Sequence, residues 1–246
     1  MRPALALVLG LAAAHAQANE WERPPPFITT PPEVVERMLE MAGTRPEDLV
    51  IDLGSGDGRI VIAAAQKFGA RGLGIELDGA LVVKSRESAQ KTNVTDRVTF
   101  VEGDVLVADI SRATVVTVYL LPALMAQLQS RFIRELAPGT RIVSHEFTMA
   151  GWLPDRSDTV RLKERHRGQG DTSRLHLWIV PADVRGVWHG PGMRLRIDQS
   201  YQRIEVEGVA SATLSGRDIA WPGFKGRVEG NRIVGELAGR PIELRR

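Results

Sequence analysis

The chain has 246 residues, of which 43% are hydrophobic and 25% are charged. This composition excludes a disordered protein and provides enough apolar side chains for one α/β domain with a small additional module. Lysine and arginine number 32 against 30 aspartate and glutamate residues, and the two signs are interspersed without a basic block. The charge therefore predicts no nucleic-acid partner. Cysteine is absent, and His166, His176 and His189 lack the spacing of metal ligands, so no metal site is predicted.

The first residues have the pattern of a secretory signal peptide. Met1-Arg2-Pro3 precedes an apolar run over residues 4–14, and small residues flank a cleavage site after Ala18, with Ala16 as the alternative position. The run is shorter than the roughly 20 apolar residues of a membrane-spanning helix. Residues 1–18 are therefore predicted to be a signal peptide that exports the protein to the periplasm or cell envelope.

Helix and strand patterns alternate after this segment. A helix is predicted to open with Thr30 as a candidate N-cap and to end at Gly43. Its apolar face comprises Val34, Val35, Met38, Leu39, Met41 and Ala42. The elements predicted next are a strand over residues 49–53, a helix over 58–68, a strand over 72–77, a helix over 80–92 and a strand over 98–102.

Residues 115–121 form a predominantly apolar run, which is typical of a central parallel strand covered by helices on both faces. Pro122 begins the next predicted helix, and its inner stripe is Leu124, Leu128, Phe132 and Leu136. A fifth strand over residues 141–147 and a closing pair over 159–164 and 173–180 follow. This order predicts an α/β fold over residues 19–182, a doubly wound, Rossmann-like sheet of seven strands with right-handed crossovers.

The hydrophobic pattern of the sequence changes at about residue 183. Short alternating segments over residues 193–197, 201–206, 210–214, 224–228, 233–237 and 242–244 are separated by Gly, Asn and Asp turns. No helical periodicity continues here. Residues 183–246 are therefore predicted to form a small antiparallel β-meander module that serves stability or docking.

The most informative stretch is the turn that follows the first strand. Asp52 ends the strand, and Gly54, Gly56 and Gly58 follow it at spacings of two. Glycines allow positive φ and the close approach of backbone N–H groups to a ligand at a helix N-terminus. The dinucleotide fingerprint requires G-x-G-x-x-G, so this spacing favours another nucleotide-like cofactor over NAD.

The turn resembles motif I of the class I S-adenosylmethionine-dependent methyltransferases, which reads D-x-G-x-G-x-G. A closer resemblance, over most of residues 27–180, is to the mitochondrial-type protein-lysine methyltransferases and their bacterial relatives. It is carried by Phe27-Ile28-Thr29-Thr30-Pro31, Tyr119-Leu120-Leu121-Pro122, Ser144-His145-Glu146-Phe147 and Gly151-Trp152-x-Pro154. Family members modify lysines of membrane-embedded proteins, which implies a membrane-proximal protein substrate. The signal peptide and the β module depart from the family pattern.

This resemblance implies S-adenosyl-L-methionine as the cofactor. Asp52 is expected beside the methionine amino group and Asp104 beside the adenine amino group, while Val105 packs on the adenine ring. Glu76 ends a strand about 20 residues after the glycine turn, where an acid can accept both ribose hydroxyls. The expected cofactor-binding set is Thr30, Asp52, Gly54, Ser55, Gly56, Gly58, Glu76, Leu77, Asp104 and Val105.

The acceptor side is less defined by the sequence. The fourth strand lacks the Asn/Asp-Pro-Pro-Tyr of enzymes that methylate adenine or glutamine amides, so an amine acceptor is favoured. An ammonium must lose a proton before it attacks, and Tyr119, His145 and Glu146 at the ends of strands four and five are the candidate catalytic residues. The hypothesis is N-methylation of a protein amine, with lysine as first candidate. A catalytically silent envelope binding module and an NAD-dependent enzyme are the alternatives.

Overall fold

The computed structural model describes residues 28–166 and 170–246. The predicted signal peptide and its cleavage site lie outside these residues. The elements of the first part are α1 (Pro32–Met41), β1 (Leu49–Leu53), α2 (Arg59–Phe68), β2 (Arg71–Glu76), α3 (Gly79–Lys91), β3 (Val98–Glu102), β4 (Val115–Val118), α4 (Pro122–Glu135), β5 (Arg141–His145), β6 (Arg156–His166) and β7 (Gly170–Ile179).

These strands form a seven-stranded sheet in the order β3-β2-β1-β4-β5-β7-β6. The first five strands pair in parallel, and β7 runs antiparallel to both β5 and β6. The chain order reverses between β1 and β4, so the ligand edge of the sheet lies at the carboxyl ends of these strands. The predicted doubly wound fold is confirmed.

Helices cover both faces of the sheet, and each face has its own hydrophobic core. One core joins α1, α2 and α3 to the sheet, with the apolar stripe of α1 fully buried as predicted. The other core lies under α4 and includes Met125, Leu128 and Phe132. The predicted inner stripe of α4 is wrong at one position, because Met125 is buried where Leu124 is partly exposed.

The strands predicted over residues 115–121 and 141–147 are longer than the observed β4 and β5. β4 ends where its neighbour β1 ends, and β5 ends at a turn. Val118 is the last residue of β4 that pairs, opposite Leu53 of β1 and Ser144 of β5, and the glycine turn begins directly after Leu53. β5 ends at His145 because Glu146 has a φ of +70°. Residues 119–121 therefore lie beyond the strand pairing, and Glu146 and Phe147 follow β5 in a turn that bonds to β7. Both segments belong to the ligand edge of the sheet.

The predicted role of Thr30 as helix cap is wrong. The N-cap position of α1 is Pro31, and among the described residues no side chain caps this helix end by a hydrogen bond. Proline has no side-chain acceptor for the free N–H groups of the first turn, and the second proline, at the first helical position, has no N–H group that needs a partner. The Thr30 side chain is buried instead and faces β5.

The second part of the chain is a separate antiparallel module. Its strands are β8 (Gly186–Gly190), β9 (Met193–Ser200), β10 (Arg203–Val206), β11 (Thr213–Ser215), β12 (Asp218–Trp221), β13 (Phe224–Glu229), β14 (Arg232–Leu237) and β15 (Arg240–Arg245). They form one sheet in the order β10-β9-β8-β15-β14-β13-β12-β11, which curls around its own core. The sequence pattern missed β8 and β12, which carry the buried Trp188 and Ile219.

Within residues 28–166 and 170–246, none of the helices has the length and apolar character that crossing a bilayer requires.

Candidate functional site

The glycine turn after β1 exposes backbone at the ligand edge of the sheet. Gly54, Gly56 and Gly58 all have positive φ, at +78°, +55° and +80°. A Cβ atom on Gly54 would lie 2.9 Å from Leu120 Cδ2, and one on Gly58 would lie 2.6 Å from the Phe100 ring. The turn therefore requires glycine both for its conformation and for the space around it.

Asp52 lies beneath this turn in a fully buried position. Its Oδ1 accepts a hydrogen bond of 2.7 Å from the hydroxyl of Thr117 on β4. Burial raises the pKa of Asp52 to about 7 against the lowering effect of Thr117, and the negative charges of Glu76 and Asp57 add to the increase. A buried carboxyl group whose charged neighbours are acids is suited to bind a cation.

Glu76 follows at the end of β2, next to Asp52 in the sheet. Its Oε2 accepts the Gly56 N–H at 2.8 Å, and its Oε1 accepts the Asp78 N–H at 3.0 Å. A carboxylate has about four acceptor positions, so each oxygen keeps capacity for a hydroxyl donor. The Leu77 side chain beside it is 67% exposed. An acid that can accept two hydroxyls and an uncovered apolar side chain thus lie together at the end of β2.

Asp104 lies in the loop after β3, the third strand along this edge. It is exposed, and its Oδ1 accepts the Leu106 N–H at 2.8 Å, which fixes the turn of the loop. Val105 is half-buried and packs against the core under α4. The structure therefore brings Asp52, Glu76 and Asp104 to successive strand ends, with Asp52 innermost.

Ser55 differs from its neighbours in the turn. Its side chain is buried against β2, where a Cβ atom on Gly74 would lie 2.6 Å from Ser55 Oγ. This Oγ atom has no hydrogen-bond partner within the described part of the chain. Both the Ser55 and the Gly54 N–H groups donate to the Ile75 carbonyl, at 3.0 and 2.9 Å. The side chain of Ser55 thus packs under the turn and fixes it to β2.

An ion pair that the sequence did not indicate closes the other side of the turn. Arg59 binds the Asp57 carboxylate with two hydrogen bonds of 2.8 and 2.7 Å and donates to the Thr30 carbonyl at 2.8 Å. Burial acts to raise the pKa of Asp57, but the hydrogen bonds and charge of Arg59 hold it below its ordinary value. Arg59 therefore ties the segment before α1 to the glycine turn.

The candidate catalytic residues lie at or just beyond the ends of β4 and β5, and with Phe147 they form the acceptor side of the site. The rings of Tyr119 and His145 have centroids 4.1 Å apart, and Phe147 lies 6.3 Å from Tyr119 in a stacked orientation. His145 is fully buried, and its Nδ1 lies 3.3 Å from Thr30 Oγ1. Tyr119 is only partly buried. The predicted candidates Tyr119 and His145 are thus in contact, and Tyr119 is the more accessible.

Glu146 is placed differently from these two. Its carboxylate accepts the Arg174 N–H at 2.8 Å and the Arg174 Nε at 3.2 Å, and its own N–H donates to the Arg174 carbonyl at 2.8 Å. The Phe147 N–H donates to the His145 carbonyl at 3.0 Å, so Glu146 is the centre of a tight γ-turn. The structure therefore joins Glu146 to β7 and makes it the residue that turns the chain after β5.

The residues present fit S-adenosyl-L-methionine. Asp52 offers a buried carboxyl group to the amino group, Glu76 offers acceptors to the ribose hydroxyls, and the three glycines leave backbone uncovered between them. In the described ranges, no three or more His, Cys, Asp or Glu side chains converge in a way that could hold a metal ion. The carboxyl groups and exposed backbone of this edge can supply positioning and electrostatics.

Comparisons with known proteins agree with this geometry. A family model described as the ANTKMT methyltransferase domain matches residues 52–156. A protein-lysine N-methyltransferase of Saccharolobus islandicus is 44% identical over 130 residues, which are 52% of this chain and 81% of that protein. The adenine nucleotide translocase lysine N-methyltransferase of Mus musculus is 33% identical over 129 residues, which are 52% of this chain and 56% of that protein.

A solved structure is also similar. The crystal structure of an RNA methyltransferase from Salinibacter ruber in complex with S-adenosyl-L-homocysteine has 47% identity and a TM-score of 0.58, over 64% of this chain and 96% of that chain. The chain thus covers almost all of this relative and 81% of the Saccharolobus protein, but less than two thirds of the mouse one.

Proposed function

Because the chain belongs to the S-adenosylmethionine-dependent protein-lysine N-methyltransferases, we propose that it methylates the side-chain amine of lysine in a protein substrate. The observation that supports the cofactor site is the buried carboxyl group of Asp52. Its charged neighbours Glu76 and Asp57 are both acids, so this position is suited to bind a cation. S-adenosylmethionine supplies a methyl group on a positively charged sulfur together with an ammonium that Asp52 can bind.

The chain's own residues act by positioning. Thr117 holds the Asp52 carboxyl group in one orientation, and Glu76 fixes the glycine turn through Gly56. Leu120 packs against Gly54 just beyond the end of β4, where the glycine turn meets the acceptor side. These contacts fix the edge of the site before any ligand binds, which reduces the ordering that binding requires.

The acceptor must be a neutral amine when it attacks, so the site has to hold the ammonium and take a proton from it. Tyr119 is the candidate that is partly accessible, and the buried His145 ring lies directly behind it. Glu146 supports this arrangement by turning the chain between His145 and Phe147. An aromatic wall also favours a cationic side chain, because ring faces attract ammonium groups.

A protein acceptor is preferred over RNA for two reasons. The Saccharolobus and mouse relatives are protein-lysine and translocase-lysine methyltransferases by name, whereas the Salinibacter structure is described as an RNA methyltransferase. The exposed apolar side chains Leu121, directly after β4, and Leu153, in the loop after β5, suit a protein surface better than a phosphate backbone. A catalytically silent binding module is not favoured, because the complete cofactor edge is retained.

We further propose that the enzyme works outside the cytoplasm, in the periplasm or envelope, on a substrate close to the membrane. The support is the signal-peptide pattern of residues 1–18 and the membrane-embedded substrates that the family resemblance implies. A C-terminal reporter that is active on only one side of the membrane tests the location. Activity of a reporter that works only in the cytoplasm would overturn the export proposal.

The experiment that tests the acceptor uses S-adenosylmethionine with a radiolabelled methyl group and the purified enzyme. Envelope and cytoplasmic fractions are incubated separately, and each product is treated with protease or with ribonuclease. We expect protease, and not ribonuclease, to release the label. Mass spectrometry should then map the methyl group to a lysine. Label that ribonuclease releases would replace the protein acceptor with RNA.

A further inference from the structure

The loop between β5 and β6, residues 146–155, connects the acceptor side to the C-terminal β module. It begins with the Glu146 turn and Phe147, which faces Tyr119. It continues through Trp152, which is fully buried, to Leu153, which is 53% exposed. The family model ends at residue 156, so the module that follows lies outside that match.

The turn between β9 and β10 reaches from the module to this loop. The Tyr201 ring stacks on Trp152 with centroids 5.1 Å apart and an interplanar angle of 4°. Gln202 Nε2 donates to the Leu153 carbonyl at 2.6 Å. From α4, Gln129 Nε2 donates both to the Tyr201 hydroxyl and to the Ala150 carbonyl, each at 2.8 Å. The loop is therefore held between α4 and the module by a ring stack and by bonds to its own carbonyls.

Tyr201 makes these contacts in an unfavourable backbone conformation. Ser200 pairs with Arg203, so Tyr201 and Gln202 form a two-residue hairpin turn, a position where Asn-Gly or a similar pair is expected. Tyr201 instead has a φ of +54°, which is rare for a bulky residue. Gln199 Nε2 donates to the Tyr201 carbonyl at 2.7 Å and stabilises this conformation. A bulky residue that is held in a backbone conformation unfavourable for its type indicates that its side chain has a function.

We infer that Tyr201 and Gln202 are positioning residues for the acceptor, and that the C-terminal module sets acceptor binding through the loop of residues 146–155. This inference rests on the proposed function. The cofactor residues at the ends of β1, β2 and β3 are not among the contacts of this turn. Loss of the contacts therefore weakens acceptor binding and leaves cofactor binding unchanged.

The first experiment measures hydrogen exchange of residues 146–155 in the full chain. Tyr201→Gly removes the ring and also relieves the left-handed backbone, so the module itself is not destabilised. Ala238→Gly is the matched control, because Ala238 has a φ of +51° in the β14–β15 turn of the same module. We expect about tenfold faster exchange of the loop in the Tyr201 variant alone. Equal exchange in both variants would overturn the inference.

The second experiment measures steady-state kinetics with a synthetic peptide that carries the lysine mapped in the envelope fraction. Tyr201→Gly is expected to raise the KM for the peptide about tenfold, with kcat and the Kd for S-adenosylhomocysteine unchanged. Tyr201→Phe keeps the stack and is expected to restore most of the affinity. An unchanged KM beside faster loop exchange would refute the role in acceptor binding. Failure of the wild-type enzyme to methylate protein would refute the proposed function, while hydrogen exchange still decides the positioning role.

Discussion

The hydroxyl group of Thr117 donates a 2.7 Å hydrogen bond to Oδ1 of Asp52 across the β4–β1 pair, and both side chains are buried. The two residues are 65 positions apart in the chain and directly opposite in the parallel register. A polar residue in the otherwise apolar strand β4 therefore has a defined partner. It fixes the carboxyl group on which the cofactor site depends.

The pKa of Asp52 predicts how the stability of the ligand-free protein depends on pH. Burial raises this pKa to about 7 from the ordinary 3.8, so between these values the native state holds a proton that the unfolded state has lost. The free energy of unfolding should fall as pH rises from 4 to 7, by an amount on the order of 4 kcal/mol, and stay level above that range. Denaturant titration of wild type and Asp52→Asn measures the difference. A pH-independent difference would contradict the buried, protonated Asp52.

Cofactor binding should show the opposite pH dependence. The ionised Asp52 binds the amino group, so protonation below pH 7 competes with the ligand. The Kd for S-adenosylhomocysteine is expected to rise about tenfold for each unit of pH below 7, until the pKa of the complex is reached. Asp52→Asn should bind weakly at every pH. Equal pH dependence in the wild type and this variant would assign the effect to another group.

The cost of a side chain in the glycine turn can be separated from the cost of its backbone angle. Gly58 and Gly43 both have positive φ, at +80° and +60°, but a Cβ atom on Gly58 would lie 2.6 Å from the Phe100 ring, whereas none lies within 4 Å at Gly43. Gly43→Ala should destabilise by about 1 to 2 kcal/mol through the backbone alone. Gly58→Ala should cost about 1 to 3 kcal/mol more through crowding. Thermal and denaturant unfolding of the two variants tests this ranking, which equal losses would refute.

The hydroxyl of Tyr119 is predicted to matter for turnover and not for folding. Tyr119→Phe preserves the ring that packs on His145 and Phe147, so stability and S-adenosylhomocysteine affinity should be retained. If the hydroxyl handles the acceptor proton, kcat should drop about 100-fold. The control is Tyr201→Phe, which removes the hydroxyl group of the other of the two tyrosines in the chain. Unchanged kcat in the Tyr119 variant would show that this residue only packs.

The positions of the residues at the expected cofactor edge were predictable from the sequence because their determinants are local. β1 and β3 have the predicted bounds, and Asp52, Glu76 and Asp104 lie on successive strand ends. Glycine spacing and strand ends depend on neighbouring residues, so a pattern can identify them. The extent of β4 was overestimated, because strand length depends on where the partner strands stop.

The acceptor side was predicted less well because its contacts are distant in sequence. Glu146 is bound by Arg174, 28 residues later, and Thr30 contacts His145 across 115 residues. Nothing local in the sequence signals either pairing. The same is true of Trp152 and Tyr201, whose stack joins the two parts of the chain. The pattern identified the module as β-structure but could not show that it contacts the loop after β5.

The edge formed by Asp52, Glu76 and the glycine turn is where we expect S-adenosylmethionine to bind. The direct test is calorimetric titration of the purified, ligand-free protein with S-adenosylhomocysteine. The variant is Glu76→Gln, and the control is Glu102→Gln, because Glu102 is the register neighbour of Glu76 on β3. We expect saturable heat in the wild type, about 10- to 100-fold weaker binding in the Glu76 variant and wild-type affinity in the Glu102 variant. No binding heat in the wild type at high protein concentration, or equal losses in both variants, would contradict it.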